Sequence, residues 1–275
     1  MPELPEVETV VRELRPRLLG RRLQAVTVSR HRLRKPWLQQ WARLLRGRRV
    51  AAVRRRGKWI ILDLDNQVHL VVHLGMTGQL TVKMSREAAG THTHLVFRLD
   101  RGRQELRFRD VRRFGSATVF PDSRRLDDFF QKAELGPEPF ALPAGYWREQ
   151  LARTNRSLKA VLLDQRVVAG VGNIYADESL FQARLYPAQR GRDTSVAEAA
   201  RLRRAIVQVL NQAIERRGSS IRDYIGASGQ QGEYQREFRV YGRTDEPCLR
   251  CATPIVCMRL AGRSTHYCPQ CQRLK

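Results

Sequence analysis

The first residues of the chain combine a potential nucleophile with a carboxylate. The sequence opens Met1-Pro2-Glu3-Leu4-Pro5-Glu6. If Met1 is removed, Pro2 presents a secondary amine whose ordinary pKa of roughly 8 leaves a nucleophilic neutral fraction near pH 7. An imine formed by a secondary amine stays a cationic iminium, which favours elimination, and Glu3 is placed to act as a general acid. Alternatively, these residues only begin a helix whose dipole the glutamates complement.

Four of the five cysteines form a metal-ligand pattern near the other end of the sequence. Cys248-x2-Cys251 and Cys268-x2-Cys271 are separated by sixteen residues, a spacing typical of four-thiolate zinc sites. Four thiolates leave no position for water, so one Zn²⁺ would be structural and would stabilise a small β-hairpin. Disulfides are the alternative. Cys257 lies between the pairs and is expected to be a packed or free thiol.

Two glycine-containing loops carry side chains suited to entering a base stack. Met76 stands in His73-Leu74-Gly75-Met76-Thr77-Gly78, and Arg112 and Phe114 stand in Asp110-Val111-Arg112-Arg113-Phe114-Gly115. An enzyme that extrudes a base must fill the vacated space, which an apolar wedge, a ring and a guanidinium can do. The alternative is that Met76 and Phe114 are core residues and Arg112 is a surface charge. Lys58 follows the basic run Arg54-Arg55-Arg56-Gly57, whose arginines are expected to face phosphates or solvent.

Composition favours nucleic acid as the partner. Among 275 residues, 51 are Lys or Arg and 27 are Asp or Glu, which gives a net charge of +24. Such a field attracts a polyanion, although a generally arginine-rich composition would also produce it. The sequence has neither an apolar run of about 18 residues nor the features of a signal peptide, so a cytoplasmic location is expected.

The residue patterns of the segments that must position these groups predict an α+β protein. Apolar residues recur at helical spacing from Glu3 to Leu19, and Gly20 ends the pattern. A series of β-like runs then predicts a sandwich or barrel. These runs are Leu23–Val28, Val50–Val53, Trp59–Asp65, Val68–Leu74, Leu95–Leu99, Glu105–Phe108 and Ser116–Phe120.

The second half of the sequence reads as helical. The Gly-Val-Gly-Asn junction before Ile174 predicts a helix that Asn173 caps, with an amino terminus that favours anions. Ser195 and Glu198 predict a capping box for a long helix that ends at Gly218. Residues 226–237 are polar and glycine-bearing, which is typical of a mobile loop.

Together these motifs resemble the formamidopyrimidine-DNA glycosylase family. The resemblance spans Pro2 to Cys271 and includes Pro-Glu-Leu-Pro-Glu, both loops, Gly-Val-Gly-Asn-Ile-Tyr-Ala-Asp-Glu and Gly-Arg-Ser-Thr-His-Tyr-Cys. It implies an N-terminal β-sandwich flanked by helices, a helix-two-turn-helix domain and a zinc-finger β-hairpin. The implied boundaries are 1–135, a hinge at 136–145, 146–245 and 246–275.

The resemblance also implies an activity and a set of site residues. The activity is a bifunctional DNA glycosylase and abasic-site lyase acting on oxidised purines in double-stranded DNA, as a monomer with one structural zinc and no soluble cofactor. The implied catalytic residues are Pro2, Glu3, Lys58 and Arg263. The implied DNA-binding residues are Met76, His92, Arg112, Phe114, Asn155 and Asn173, and the metal ligands are Cys248, Cys251, Cys268 and Cys271.

One implied contact departs from the family pattern, and two rival functions remain. The family often carries a basic residue at the position of Asn155, so Arg153, Arg156 or Lys159 could replace that backbone contact. The first rival is an endonuclease VIII-like enzyme for oxidised pyrimidines. Two features argue against it: Leu4, and the complete set of Met76, Arg112 and Phe114. The second rival is a non-catalytic zinc-ribbon DNA-binding protein.

Overall fold

The computed structural model describes residues 1–30, 33, 35–220, 226–227 and 230–274. The helices are α1 (Leu4–Leu18), α2 (Gln39–Leu45), α3 (Ser123–Lys132), α4 (Ala144–Ala152), α5 (Leu158–Leu163), α6 (Asn173–Ala183) and α7 (Val196–Glu215). The strands are β1 (Arg22–Val28), β2 (Arg48–Arg56), β3 (Trp59–Leu64), β4 (His69–His73), β5 (Gly78–Met84), β6 (Thr93–Leu99), β7 (Gln104–Asp110), β8 (Ser116–Phe120), β9 (Val256–Leu260) and β10 (Arg263–Tyr267). The predicted α+β class is confirmed.

The chain divides into two units. The first comprises Met1–Ala133 and Arg216–Glu233, and the second comprises Glu134–Glu215 and Tyr234–Lys275. Residues 216–233 therefore group with the amino-terminal unit although they follow α7 in sequence. The four-part division by sequence stays a prediction.

The strands of the first unit form two four-stranded antiparallel halves. Their order is β5-β7-β6-β1 followed by β2-β3-β4-β8, and β1 pairs with β2 only at Arg22↔Arg49 and Leu23↔Arg48. Buried residues from both halves, such as Phe97 and Leu62, belong to one apolar core together with α1. The predicted sandwich flanked by helices is confirmed. Its second half is covered on its other face as well, because Ile61 and Val71 pack with Leu126 of α3.

Helix α1 is anchored by its apolar stripe. Its five predicted inward residues, Val7, Val10, Val11, Leu14 and Leu18, are at most 1% exposed. Each such side chain contributes about 1.5–3 kcal/mol on burial, so the helix that carries Pro2 and Glu3 at its start has a fixed position. Gly20 follows the helix with φ of +76°, in the left-handed region that glycine favours.

Strand β5 was not predicted, because Gly78 was interpreted as a turn residue that separates strands. Gly78 instead begins β5, which pairs with β7 along its whole length. A Cβ at Gly78 would lie 2.1 Å from the carbonyl oxygen of Leu74, so the tight turn before the strand requires glycine. Helices α2 and α3 were also missed.

The second unit is helical around α7. Helices α4 and α6 pack against α7, and the Trp147 indole donates to the Ala199 carbonyl (3.0 Å). The predicted capping box is confirmed, because Ser195 N–H donates to Glu198 (3.0 Å) and Glu198 N–H donates to the Ser195 hydroxyl (3.2 Å). Val196, expected to face inward, is 63% exposed. In the described part of the chain, no helix combines the length and apolar character needed to cross a membrane.

Candidate active site

The start of the chain is held by a buried carboxylate. Met1 is 54% exposed, whereas Pro2 and Glu3 are buried. Glu6 Oε2 accepts from the Glu3 N–H (2.8 Å), and its Oε1 accepts from the N–H (2.7 Å) and hydroxyl (3.1 Å) of Ser219. Glu6 thus fixes the first turn of α1 against residues 216–220. Sequence reasoning assigned Glu6 only to the helix dipole, although a glutamate three residues after the N-cap is the signal of a capping box.

Lys58 is placed by a two-residue turn between β2 and β3. Arg56 pairs with Trp59, and Gly57 stands first in the turn with φ of +55°. Lys58 is only 7% exposed, so it is a buried cation and not part of a solvated loop.

Two of the arginines before Lys58, Arg54 and Arg55, pair with carboxylates. Arg55 donates to Glu8 of α1 (3.0 Å) and to the Gly57 carbonyl (3.0 Å), so the expectation that it faces phosphate or solvent is wrong. Arg54 makes a bidentate pair with Asp63. Burial raises the pKa of Glu8, but the guanidinium groups of Arg12 and Arg55 outweigh it and lower the pKa overall.

The predicted stack-filling residues and Met1 line one cavity of the first unit. Its volume is about 690 Å³. The lining comprises Met1, Leu33, His73, Gly75, Met76, Arg112, Arg113 and Phe114. The fold therefore brings the amino terminus and both glycine-containing loops to one concave surface.

Asp110 fastens the two loops together. This carboxylate is fully buried at the end of β7 and accepts from the Thr77 hydroxyl and from the Gly115 N–H (2.7 Å). The Thr77 hydroxyl in turn accepts from the Arg112 N–H (3.0 Å). A Cβ at Gly75 would lie 2.4 Å from the Gly115 nitrogen, so the loops touch backbone to backbone. Sequence reasoning missed Asp110, but a carboxylate in phase with the inward-facing Leu106 and Phe108 is a visible signal.

The side chains predicted to fill the base stack are exposed. Met76 is 37% exposed and Phe114 44%, which excludes the alternative that they are core residues. The Arg112 guanidinium lies 4.9 Å from the Phe114 ring centroid, in cation–π contact. His92 is also exposed, with φ of +65°, and its carbonyl accepts from the Asp110 N–H (3.0 Å).

The turn between α5 and α6 is shaped by Gln165. Its side chain accepts from the Gly170 N–H (2.9 Å) and donates to the Val171 carbonyl (2.8 Å). The expectation that Asn173 caps α6 is wrong, because Gly172 is the N-cap and Asn173 is the first helical residue. Asn173 Nδ2 instead donates to the carbonyl (3.1 Å) and hydroxyl (3.4 Å) oxygens of Ser264.

Asn155 lies exposed between α4 and α5. Of its suggested substitutes, Arg153 pairs with Glu149 and Arg156 donates to Asp164 (2.8 Å). Lys159 is completely buried, so it is not available to a phosphate.

The four cysteines fit a tetrahedral zinc ion. Their sulfur atoms lie within 4.8 Å of one another, with Sγ–Sγ distances of 3.4 Å (251–268), 3.5 Å (251–271) and 3.9 Å (248–271). Zn–S bonds of about 2.3 Å imply tetrahedron edges of about 3.8 Å, whereas a disulfide would bring two sulfurs to about 2.05 Å. The set therefore suits one structural zinc. Cys257 is an exposed free thiol outside it.

The segment carrying the cysteines is tied to α6. Arg250 donates to the Phe181 carbonyl (2.8 Å) and stacks on the Phe181 ring (4.2 Å). The Glu178 carboxylate accepts from the N–H groups of Arg239, Val240 and Tyr241 at 2.9–3.1 Å. Burial raises the pKa of Glu178 even though these three donors favour its charged form.

Arg263 is exposed on the hairpin that leads to Cys268. It begins β10 opposite Leu260 of β9, so Ala261 and Gly262 form a two-residue turn with φ of +49° and +71°. Both positive values match a type I′ hairpin, which holds Arg263 at the hairpin tip.

Three parts of the sequence match domains of known protein families. Residues 1–117 match the formamidopyrimidine-DNA glycosylase N-terminal domain, and residues 135–224 match its H2TH domain. Residues 245–274 match the zinc finger found in FPG and IleRS. Together these matches span both units.

Full-length relatives agree with the domain matches. The formamidopyrimidine-DNA glycosylase of Carboxydothermus hydrogenoformans is 42% identical over 276 residues, covering 99% of this chain and 100% of the relative. That of Geobacillus kaustophilus is 43% identical over 280 residues, covering 99% and 100%.

Solved structures show the same fold. A Lactococcus lactis FPG mutant in complex with Fapy-dG containing DNA superposes with a TM-score of 0.92 at 34% identity, covering 99% of this chain and 100% of that one. The Lactococcus lactis Fpg in complex with abasic-site DNA has a TM-score of 0.91 at 33% identity, with the same coverage. By sequence, domain content and fold, this chain belongs to the formamidopyrimidine-DNA glycosylase family.

Proposed function

We propose that this protein is a DNA glycosylase and abasic-site lyase of base-excision repair, which removes 8-oxoguanine and formamidopyrimidines from duplex DNA. Family membership over 99% of the chain supports the activity. For this chain, the observation that carries the proposal is the cavity lined by Met1, Met76, Arg112 and Phe114. It places the residue before Pro2 beside the side chains suited to replacing an extruded base.

Pro2 is the proposed nucleophile. Met1 is exposed, so an aminopeptidase can reach it and uncover the Pro2 amine. The Pro2 nitrogen attacks C1′ of the deoxyribose, and the C1′–N bond to the damaged base breaks with its electron pair leaving on the base. The departing base takes up the proton that the Pro2 nitrogen loses. Glu3 then protonates O4′ as the C1′–O4′ bond opens, which leaves a cationic iminium.

The iminium drives strand cleavage. Its positive charge favours proton loss from C2′, and the 3′ phosphate departs with the C3′–O electron pair in the first elimination. A second proton loss expels the 5′ phosphate, so the product is a gap with phosphates at both ends. Lys58, buried beside the sheet, assists proton transfer near the lesion.

The remaining site residues are assigned to DNA contacts. Arg263, His92 and Asn173 bind backbone phosphates, and Arg263 also assists the second elimination. Met76, Arg112 and Phe114 fill the stack. Asn155 is exposed and neutral, so it can offer a hydrogen bond to the backbone but no charge. The zinc ion, held by the four thiolates, stabilises the hairpin that carries Arg263. We place the enzyme in the cytoplasm, acting as a monomer.

Borohydride trapping tests the proposal. The wild-type protein should form a covalent adduct with DNA that contains 8-oxoguanine opposite cytosine, and peptide mapping should locate the sugar on Pro2. Pro2→Gly retains a primary amine but loses the fixed iminium charge, so its adduct yield should fall by about 100-fold or more.

Four results would overturn the assignment. Fully active protein that retains Met1, or a crosslink on another side chain, contradicts the chemistry. Salt-sensitive DNA binding without any adduct indicates a non-catalytic zinc-ribbon protein, and preference for an oxidised pyrimidine indicates the endonuclease VIII-like rival.

A further inference from the structure

A buried ion pair lies beneath the amino terminus of α6. Lys159 of α5 and Asp177 of α6 are both completely buried, and the Lys159 ammonium donates to Asp177 Oδ1. The same ammonium donates to the main-chain carbonyl of Asn173 (3.0 Å). Two charges removed from water are tolerated only when they are paired and hydrogen-bonded, so the geometry of this pair is tightly constrained.

The second oxygen of Asp177 reaches the zinc-finger hairpin. Asp177 Oδ2 accepts from the main-chain N–H of His266 (3.0 Å) and from its Nδ1 (3.2 Å). The His266 ring lies edge-on to Tyr241, with centroids 5.1 Å apart. One carboxylate therefore joins α5, α6 and β10.

The tip of the same hairpin has a second attachment to α6. Asn173, the first residue of α6, donates its side-chain amide to Ser264, which adjoins Arg263. Asn173 Oδ1 is buried and has no hydrogen-bond partner among the described residues. The amide orientation is thus set by Ser264, and it leaves an acceptor unsatisfied at the position where the hairpin meets the helix.

We propose that Asp177 is a positioning residue that holds Arg263 in register with the amino terminus of α6, so that the two grip the DNA backbone as one preformed clamp. The inference rests on the proposed function. A helix amino terminus and an arginine both favour phosphate, and fixing their separation before binding removes an ordering cost that would otherwise weaken the complex. Asp177 itself touches no DNA.

A double-mutant cycle between Asp177→Asn and Arg263→Gln tests the clamp. Affinity is measured for a duplex containing an uncleavable tetrahydrofuran abasic analogue, at several salt concentrations. Asp177→Asn alone should raise Kd about 10-fold and reduce the salt-dependence slope by about one counterion, because one phosphate contact is lost. In the Arg263→Gln background, Asp177→Asn should raise Kd less than about twofold.

Controls separate positioning from stability. Glu246→Gln removes an exposed carboxylate of the same module that pairs with Arg243, and should leave Kd and slope unchanged. If Asp177→Asn loses zinc or unfolds, His266→Phe is used, because it keeps an aromatic ring beside Tyr241 and removes the Nδ1 donor to Asp177 together with the other ring nitrogen. Its rise in Kd, about threefold, should also disappear in the Arg263→Gln background.

The outcomes are distinguishable. Effects of Asp177→Asn and Arg263→Gln that multiply independently, or an unchanged salt slope, overturn the clamp while the enzyme activity stands. Wild-type protein that neither binds the duplex nor forms the borohydride adduct overturns both the clamp and the proposed function.

Discussion

Glu6 and Glu178 show how the two units use the same device in different surroundings. Each is a buried helical carboxylate, 2% exposed, that accepts N–H groups from a segment far along the chain. Glu6 binds Ser219, and Glu178 binds the backbone of residues 239–241. In both cases a carboxylate provides the acceptors that an irregular segment lacks.

The surroundings differ in how much apolar surface they bury. Glu6 lies on α1, whose buried face belongs to the large core of the sandwich. Glu178 lies on α6, which contributes Phe181 to a small apolar cluster. The other buried members of that cluster are Val240, Ile255 and two of the cysteines. A core of that size does not offset the entropy of ordering the hairpin, so the metal supplies the difference. A buried helical carboxylate therefore positions an irregular segment in one unit. In the other unit it supports a hairpin whose folding depends on metal.

Removal of one zinc ligand should give the largest effect. It tests directly whether the hairpin depends on metal while the sandwich does not. Structural zinc contributes on the order of 10 kcal/mol or more to folding of small zinc domains, so Cys268→Ser should abolish hydrogen-exchange protection in β9 and β10. Protection in the sandwich should persist, because all four cysteine ligands lie in the other unit. Cys257→Ser, outside the tetrahedron, is the matched control and should change neither. Loss of protection in both units would show that the sandwich also depends on zinc.

Truncating the two carboxylates should come next in size. Glu178→Ala removes the acceptor of three main-chain N–H groups, of which that of Val240 is buried, and we expect a loss of about 3 kcal/mol in the free energy of unfolding, with lost protection in residues 239–267. Glu6→Ala should instead free the segment around Ser219 and lower the yield of the borohydride adduct while the hairpin stays protected. Glu246→Ala, an exposed control, should stay within about 0.5 kcal/mol. Identical exchange patterns for both variants would remove the distinction between the units.

Asp164 offers a partly exposed counterpart with the smallest effect, because its arginine partners Arg156 and Arg166 lie at the surface. Burial raises its pKa, but hydrogen bonds from Arg166 and Arg156 outweigh it and lower the pKa to about 2. Because the folded-state pKa is depressed, the stabilisation is complete above about pH 4 and is lost as pH falls toward 2. Asp164→Asn should therefore cost less than about 1 kcal/mol at pH 7, since the pair is partly solvated. In urea unfolding, the difference from wild type should shrink between pH 4 and pH 2; a constant difference would contradict the ion-pair origin.

Local patterns were predictable where one segment supplies the whole structure. The stripe of α1, the capping box at Ser195 and the cysteine spacing each involve neighbours in sequence, and the structure agrees with all three. The prediction that Asn173 caps α6 is wrong because the partner of its amide is not a neighbour in sequence. The amide donates to Ser264, 91 residues away. Lys159 was suggested as a substitute phosphate contact and Arg55 was expected to face phosphate or solvent, but each is paired with a carboxylate on another element.

The sequence by itself determined the metal ligands, the basic character and the family, and it predicted a reactive amino terminus, because residue type and local spacing are enough to specify them. Only the tertiary structure decided that Met1, Met76 and Phe114 line one cavity. It also decided that Asp110, Glu6 and Asp177 are the carboxylates that fix the loops, the terminus and the hairpin. The physical reason is that a buried charge is stabilised by whichever donors the fold brings to it, and those donors come from distant parts of the chain.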